Sequence, residues 1–379
     1  MASQVRKRRF LARRTAVVFV GLLGIVFISW GRTVIASNHE SFAARNAGWM
    51  RDNHLGFIVD RVEQVQYAND QPKSGGAPDK ALIALTPVPN SVLAPSHPAP
   101  EPMPTPAVPP FPGEGMWAPA GRANADGSYG VYTTLIRPNA DITTLVDFVA
   151  WIDPTLVDVQ IIPGTKLPGG TWSHPSKITA AECPQTVLAL NGGFRFDQSE
   201  GGWYSDGHAS DNYPLVDGAA SLVVMNDGTV QLGAWGKDVN PANLPNIATV
   251  RQNLRLMVDE GAVVANIDDG PTWGAKLKNS LFVWRSGYGI TSTGKLVYVG
   301  GPGLTPRDLA QRLVDAGAVR GMQGDINQSW VTSNLYLDGP NGCHGTKALN
   351  VAPENGGQKS PGDRYLTSDT RDFIAILEK

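Results

Sequence analysis

Between Pro87 and Pro112 the chain carries eleven prolines in twenty-six residues. A run this dense cannot build helix or sheet, because proline fixes φ and lacks the N–H that both structures use. It reads as extended polyproline II at about 3.1 Å per residue, long enough to hold a domain up to roughly 80 Å from an anchor. We assign residues 77–115 to a proline-rich linker. A ligand for a proline-recognition module is the competing reading. The linker divides the chain into a short N-terminal part and a domain of residues 116–379, large enough to bury its own core.

After Gly115 the sequence turns to short β-rich runs between turns: Gly130 to Ile136, Val146 to Trp151, Val157 to Ile162 and Thr186 to Leu190. Ala220 to Met225 and Thr229 to Ala234 flank Asn226-Asp227-Gly228, a strong hairpin signal. Leu281 to Trp284 and Lys295 to Val299 form a further pair. One helix is well marked: Thr305 can cap it, Pro306 suits its first turn, Asp308 favours its positive end and Gly317 can stop it. Val319 to Met322 then reads as a strand that delivers Asp325. Many strands with few helices predict an α+β fold of mixed, mostly antiparallel sheets in a single large exported domain.

Export is read from the other end. Residues 1–14 are basic, with Arg6, Lys7, Arg8, Arg9, Arg13 and Arg14, and residues 15–31 are uncharged. That run spans roughly 25 Å at 1.5 Å per residue, and flanking arginines can snorkel to close the gap to a hydrocarbon core of about 30 Å. We expect a signal anchor with a cytoplasmic N-terminus; a signal peptide cut near Val34-Ile35-Ala36, giving a secreted protein, is the alternative. Residues 37–76 carry apolar positions at helical spacing, among them Phe42, Trp49, Phe57, Ile58, Val62 and Val65, and predict a juxtamembrane amphipathic helix or helix pair broken near Gly56. Cys183 and Cys343 are an even pair in an exported domain, so one disulfide is expected, with two buried thiols the other reading. The net charge of −2 and the absence of a basic stripe beyond the first fourteen residues argue against a nucleic-acid partner.

Three glycine-rich stretches carry the chemistry: Asn191-Gly192-Gly193-Phe194, Arg285-Ser286-Gly287-Tyr288-Gly289-Ile290 and Gly324-Asp325-Ile326-Asn327-Gln328-Ser329. Their order and spacing resemble the phosphodiester glycosidases, in which Asn-Gly-Gly-Phe is followed by Arg-x-x-x-Gly-Ile/Val and, after a helix, by Leu-Asp-Gly-Gly-Gly-Ser/Thr. The third motif departs from that pattern. Ile326, Asn327 and Gln328 stand where the family has three glycines, so this loop must differ in shape. The resemblance implies that Asp325 attacks the sugar C1 or activates water. It further implies that Arg285 clamps phosphate through its planar fork, and that Asn191, Gly192, Gly193 and Ser329 bind substrate.

A second cluster lies from Glu200 to Asp211. Trp203 and Tyr204 offer a stacking platform for a sugar ring. Asp206, His208 and Asp211 offer proton transfer, with Asp206 the candidate second catalytic carboxylate, or oxygen ligands for a divalent cation such as calcium. No cofactor is required by the sequence, and the acidic turn Asp268-Asp269 ranks lower. No Gly-x-Ser-x-Gly elbow, His-Glu-x-x-His, P-loop or dinucleotide fingerprint occurs. The reading that follows is a membrane-anchored glycosidase acting on a sugar-phosphate polymer or related envelope carbohydrate. Two alternatives are a non-catalytic glycan-binding or scaffold protein, and a hydrolase of a non-phosphorylated glycan.

Overall fold

The structure is a computed structural model that describes residues 24–35, 40–83, 97–274, 281–339 and 342–379. The basic terminus, the first part of the expected span and residues 84–96 of the linker lie outside these. Residues 24–35 are helical, but among the described residues no helix is long and apolar enough to cross a membrane. The chain divides into two compact units, Met1–Glu63 and Gln64–Lys379.

The first unit contains α1 (Phe42–Asp52), whose N-cap Ser41 accepts from the Ala44 N–H at 3.1 Å. Arg51 at its last turn pairs with Asp60 and Glu63 of α2 (Gly56–Asn69), each at 2.8 Å. The helix pair breaks just before Gly56, where the apolar spacing predicted it.

The second unit is built on three sheets in which every pairing of strands is antiparallel, the α+β arrangement expected. The largest holds β1 (Ala118–Ala120), β2 (Val131–Ile136), β3 (Asp147–Ile152), β11 (Leu256–Asp259), β12 (Ala262–Val263), β13 (Val283–Thr291), β14 (Leu296–Leu304) and β15 (Ala318–Ile326). Its order is β1-β2-β3-β14-β13-β15-β11-β12. A second sheet holds β4 (Val157–Ile162), β5 (Thr186–Asn191), β16 (Ser333–Gly339), β17 (Gly342–Lys347) and β18 (Phe373–Glu378), ordered β17-β16-β5-β18-β4. The third holds β6 (Trp203–Ser205), β7 (His208–Ala209), β8 (Ala220–Met225), β9 (Val230–Ala234) and β10 (Ile247–Gln252), ordered β7-β6-β10-β8-β9. One core cluster joins all three, with Leu188 and Ile376 from the second sheet, Leu222 and Leu232 from the third, and Ala150 and Tyr298 from the first.

On the far face of the first sheet lies α3 (Pro306–Asp315), closed by the capping box in which Thr305 and Asp308 satisfy each other's backbone N–H groups. Gly287 and Gly321 create its seat: a β-carbon at either would press within 3.3 Å of the Leu309 or Leu313 side chains. The helix therefore packs closer than a branched strand would allow.

The linker is shorter than the sequence predicts. Residues 97–115 are packed within the second unit: Met103 and Phe111 are buried, the Gly115 N–H donates to Leu135 O at 3.1 Å, and buried Glu114 pairs with Arg137 at 2.6 Å. Leu82, further upstream, is fully buried in the main core. Proline denies these segments a ladder, yet their scattered large side chains still gain about 1.5–3 kcal/mol each on burial. That gain fastens a segment whose composition alone reads as a spacer. The disulfide joins Cys183 to Cys343 with Cα atoms 5.8 Å apart, tying the turn before β5 to β17.

Candidate functional site

Asn191 ends β5, and its amide is held on both sides. Its Nδ2 donates to Ser286 Oγ at 2.8 Å, while its Oδ1 accepts from Tyr298 Oη at 2.8 Å and from the Thr332 N–H at 3.1 Å. Ser286 Oγ in turn accepts from the Asp325 N–H at 2.9 Å. The first and third motifs are thus joined through Ser286 of the second. Gly192 is required at this junction, since a β-carbon there would overlap the Asp372 carboxylate.

Asp325 reaches this face because of an irregularity in β15. The register passes from Gly287 opposite Gln323 to Arg285 opposite Ile326, so one extra residue is inserted in β15 and the alternation of faces is broken. Asp325 is only 6% exposed. Its Oδ1 accepts from the Ile326 N–H at 2.7 Å, and its Oδ2 lies 2.5 Å from Arg371 Nη2. Burial pushes its carboxyl above the ordinary value, against the pull of Arg371.

Arg371 also donates to Gly193 O at 2.8 Å and lies over the Trp330 ring at 4.5 Å. Its neighbour Asp372 accepts from Arg251 Nε at 2.9 Å, and Arg251 stacks at 4.0 Å over Phe196 while donating to Phe194 O. One Asp372 oxygen, Oδ1, is buried without a hydrogen-bond partner among the described residues. Two carboxylates and two guanidinium groups therefore meet where the three sheets come together. Asn253 completes the floor, accepting from the Phe194 N–H and donating to Gln323 O and Gly324 O.

Not all the residues singled out in the sequence belong here. Asn191, Gly192, Gly193 and Asp325 converge, and Ser329 sits in the following loop, where its carbonyl accepts from Arg364 at 3.0 Å. Asn327 takes the positive φ of 93° in that loop and leaves Ile326 in the strand, which is how the loop manages without three glycines.

Arg285 departs from the expectation. It alternates with Ser286 and points to the α3 face, fully buried, donating to Leu304 O at 3.1 Å and Trp273 O at 3.3 Å. Burial lowers its pKa to about 10, and its Nη2 has no hydrogen-bond partner among the described residues. The cation beside Asp325 is Arg371, which the motif spacing did not mark because it lies just ahead of the last strand.

Trp203 is likewise a core residue, fully buried between Phe196 and Trp172. Tyr204 and Asp206 line a different cleft, and His208 stacks beside it on Trp172 at 4.8 Å. Asp206 accepts from the Ser173 N–H and Oγ at 2.7 and 2.6 Å rather than facing Asp325. Among the described residues no group of three His, Cys, Asp or Glu side chains is placed to hold a metal ion. Asp268 is engaged by Arg307 on the surface.

No family model matches the chain, and no curated protein sequence does. Among solved structures it is similar to the catalytic domain of zebrafish N-acetylglucosamine-1-phosphodiester alpha-N-acetylglucosaminidase, auto-inhibited by its pro-peptide. There the identity is 14% over 69% of this chain and 87% of that one, with a TM-score of 0.43. A Synechocystis protein aligns at 10% identity over 70% of this chain and 65% of that one, with a TM-score of 0.34. Likenesses this weak carry no functional weight.

Proposed function

We propose that the chain is a glycosidase that cleaves the C1–O bond of a glycosyl phosphodiester or a related envelope glycan. The observation that carries the reading is the convergence of Asn191, Ser286 and Asp325 from three separated motifs, with Arg371 against the carboxylate. Asp325 would attack C1 or activate water, and Asn191 with the Gly192-Gly193 backbone would orient the sugar. Arg371, rather than Arg285, would hold phosphate. A phosphate monoester leaves with a pKa of about 6, so protonating the leaving oxygen matters less than for an alcohol. In this reading Arg371 exchanges part of its contact with Asp325 for the phosphate oxygens and frees the carboxylate to react. We further propose that residues 15–31 anchor the chain with the domain outside the cytoplasm, which suits a disulfide-bonded domain.

One observation favours the non-catalytic alternative: both Asp325 oxygens are already engaged, by Arg371 and by the Ile326 N–H. Asp325→Asn separates the two readings. It should remove turnover of a glycosyl phosphodiester by at least about 10²-fold while the thermal unfolding profile and substrate affinity are largely kept. Binding of a glycan with no product from any phosphodiester or envelope polysaccharide, unchanged by the substitution, would establish the binding-protein reading instead.

A further inference from the structure

An open cleft of ≈ 810 Å³ lies between the edge strand β4 and the third sheet. Its size falls in the range of ligand pockets, about 300–1,000 Å³. It shares no lining residue with the Asn191–Asp325 centre. Its lining mixes apolar residues, among them Ile161, Tyr204 and Ile247, with polar ones, among them His174, Asp206 and Asn226. At its rim Trp172 and His208 stack nearly parallel, 4.8 Å apart at 14°. Trp172 is held there by donating to Gly169 O at 2.6 Å.

We propose that this cleft binds an uncharged oligosaccharide, at a site distinct from the centre around Asp325. Flat aromatic rings beside planar amide and carboxylate acceptors suit a sugar, whose C–H face is apolar and whose edge is a ring of hydroxyl donors. Charge selects among glycans. The described lining residues include no lysine or arginine, while Asp206 is an exposed carboxylate, so a phosphorylated chain is repelled and a neutral one admitted. Asp206 is built for acceptance: it holds a φ of 52°, and its carboxylate is fixed by both Ser173 donors. The inference does not depend on the glycosidase reading.

The test is binding, not turnover. N-acetylglucosamine oligomers and glucose oligomers of matched length are titrated into the full chain, or into Asp325→Asn if products form, with tryptophan side-chain N–H signals as the readout. At least one series should saturate and shift the Trp172 Nε1–H signal. Trp172→Ala should weaken that binding by about tenfold or more. Asn226→Trp, at an exposed turn position that narrows the cleft, should do the same even if the first variant fails to fold. Inorganic phosphate should not compete. Failure of both series to saturate, unchanged affinity in Asn226→Trp, or displacement by phosphate would overturn the proposal, and none of these bears on hydrolysis at Asp325.

Discussion

Which way a side chain faces decides the fate of the two residues that matter most. Arg285 and Ser286 are adjacent, and the sequence can say that a strand carries them but not which face is which. Here Ser286 receives the site and Arg285 the interior. The acid–base behaviour of Asp325 follows from its neighbours. Arg371 is the first influence opposing the rise caused by burial, so Arg371→Met should raise the Asp325 pKa further. In the proposed reaction Asp325 acts ionised, so the acid limb of the pH profile of kcat/KM should then move to higher pH. The position of the limb tests this, whatever happens to its height.

Asp147 gives a second, separate prediction. It is fully buried on β3 with neither oxygen hydrogen-bonded among the described residues, and burial raises its pKa well above the ordinary 3.8, with Arg312 pulling the other way. Below the unfolded value both states hold the proton. As pH rises past it, the unfolded chain releases the proton first, so stability falls by about 1.4 kcal/mol per pH unit until the folded carboxyl ionises. Asp147→Asn should remove that fall, seen as a flatter dependence of Tm on pH above about 4. A slope equal to that of the wild type would show that Asp147 ionises without penalty.

At the scale of elements, local signals read well and long-range ones did not. The Asn226-Asp227-Gly228 hairpin lies between β8 and β9, and the cap at Thr305, Pro306 and Asp308 opens α3 as its residues predict. These are decided within a few residues. The extra residue in β15 that turns Asp325 toward Asn191 is decided by pairing with β13, and Arg371 enters through a loop far along the chain. Neither leaves a periodic trace. Trp203 shows the same limit: in a glycine-rich segment it reads as an exposed platform, yet Phe196 and Trp172 enclose it. The bridge Cys183–Cys343 closes a separation of 160 residues across the second sheet. Replacing both cysteines with alanine should cost about 2–5 kcal/mol of unfolding free energy in denaturant titrations. Non-reducing peptide mapping of native protein should recover the bridge, and two free thiols there would count against export.

At the scale of the molecule, the boundary of the second unit lies upstream of where composition placed it. A fragment of residues 116–379 would expose the surfaces that Leu82, Met103 and Phe111 cover and would strand Arg137 without Glu114. It should unfold at a lower temperature than a fragment of residues 64–379, and equal melting points would show that the upstream segment adds nothing.

The second sheet has a further consequence in time. β18 lies between β4 and β5, and Arg371 and Asp372 directly precede it. A nascent chain displays Asn191, Arg251 and Asp325 before it supplies Arg371, Asp372 and the strand that pairs with β5. Synthesis therefore sets an order: the Asp325–Arg371 pair closes only after β18 has been made and has joined β4 and β5.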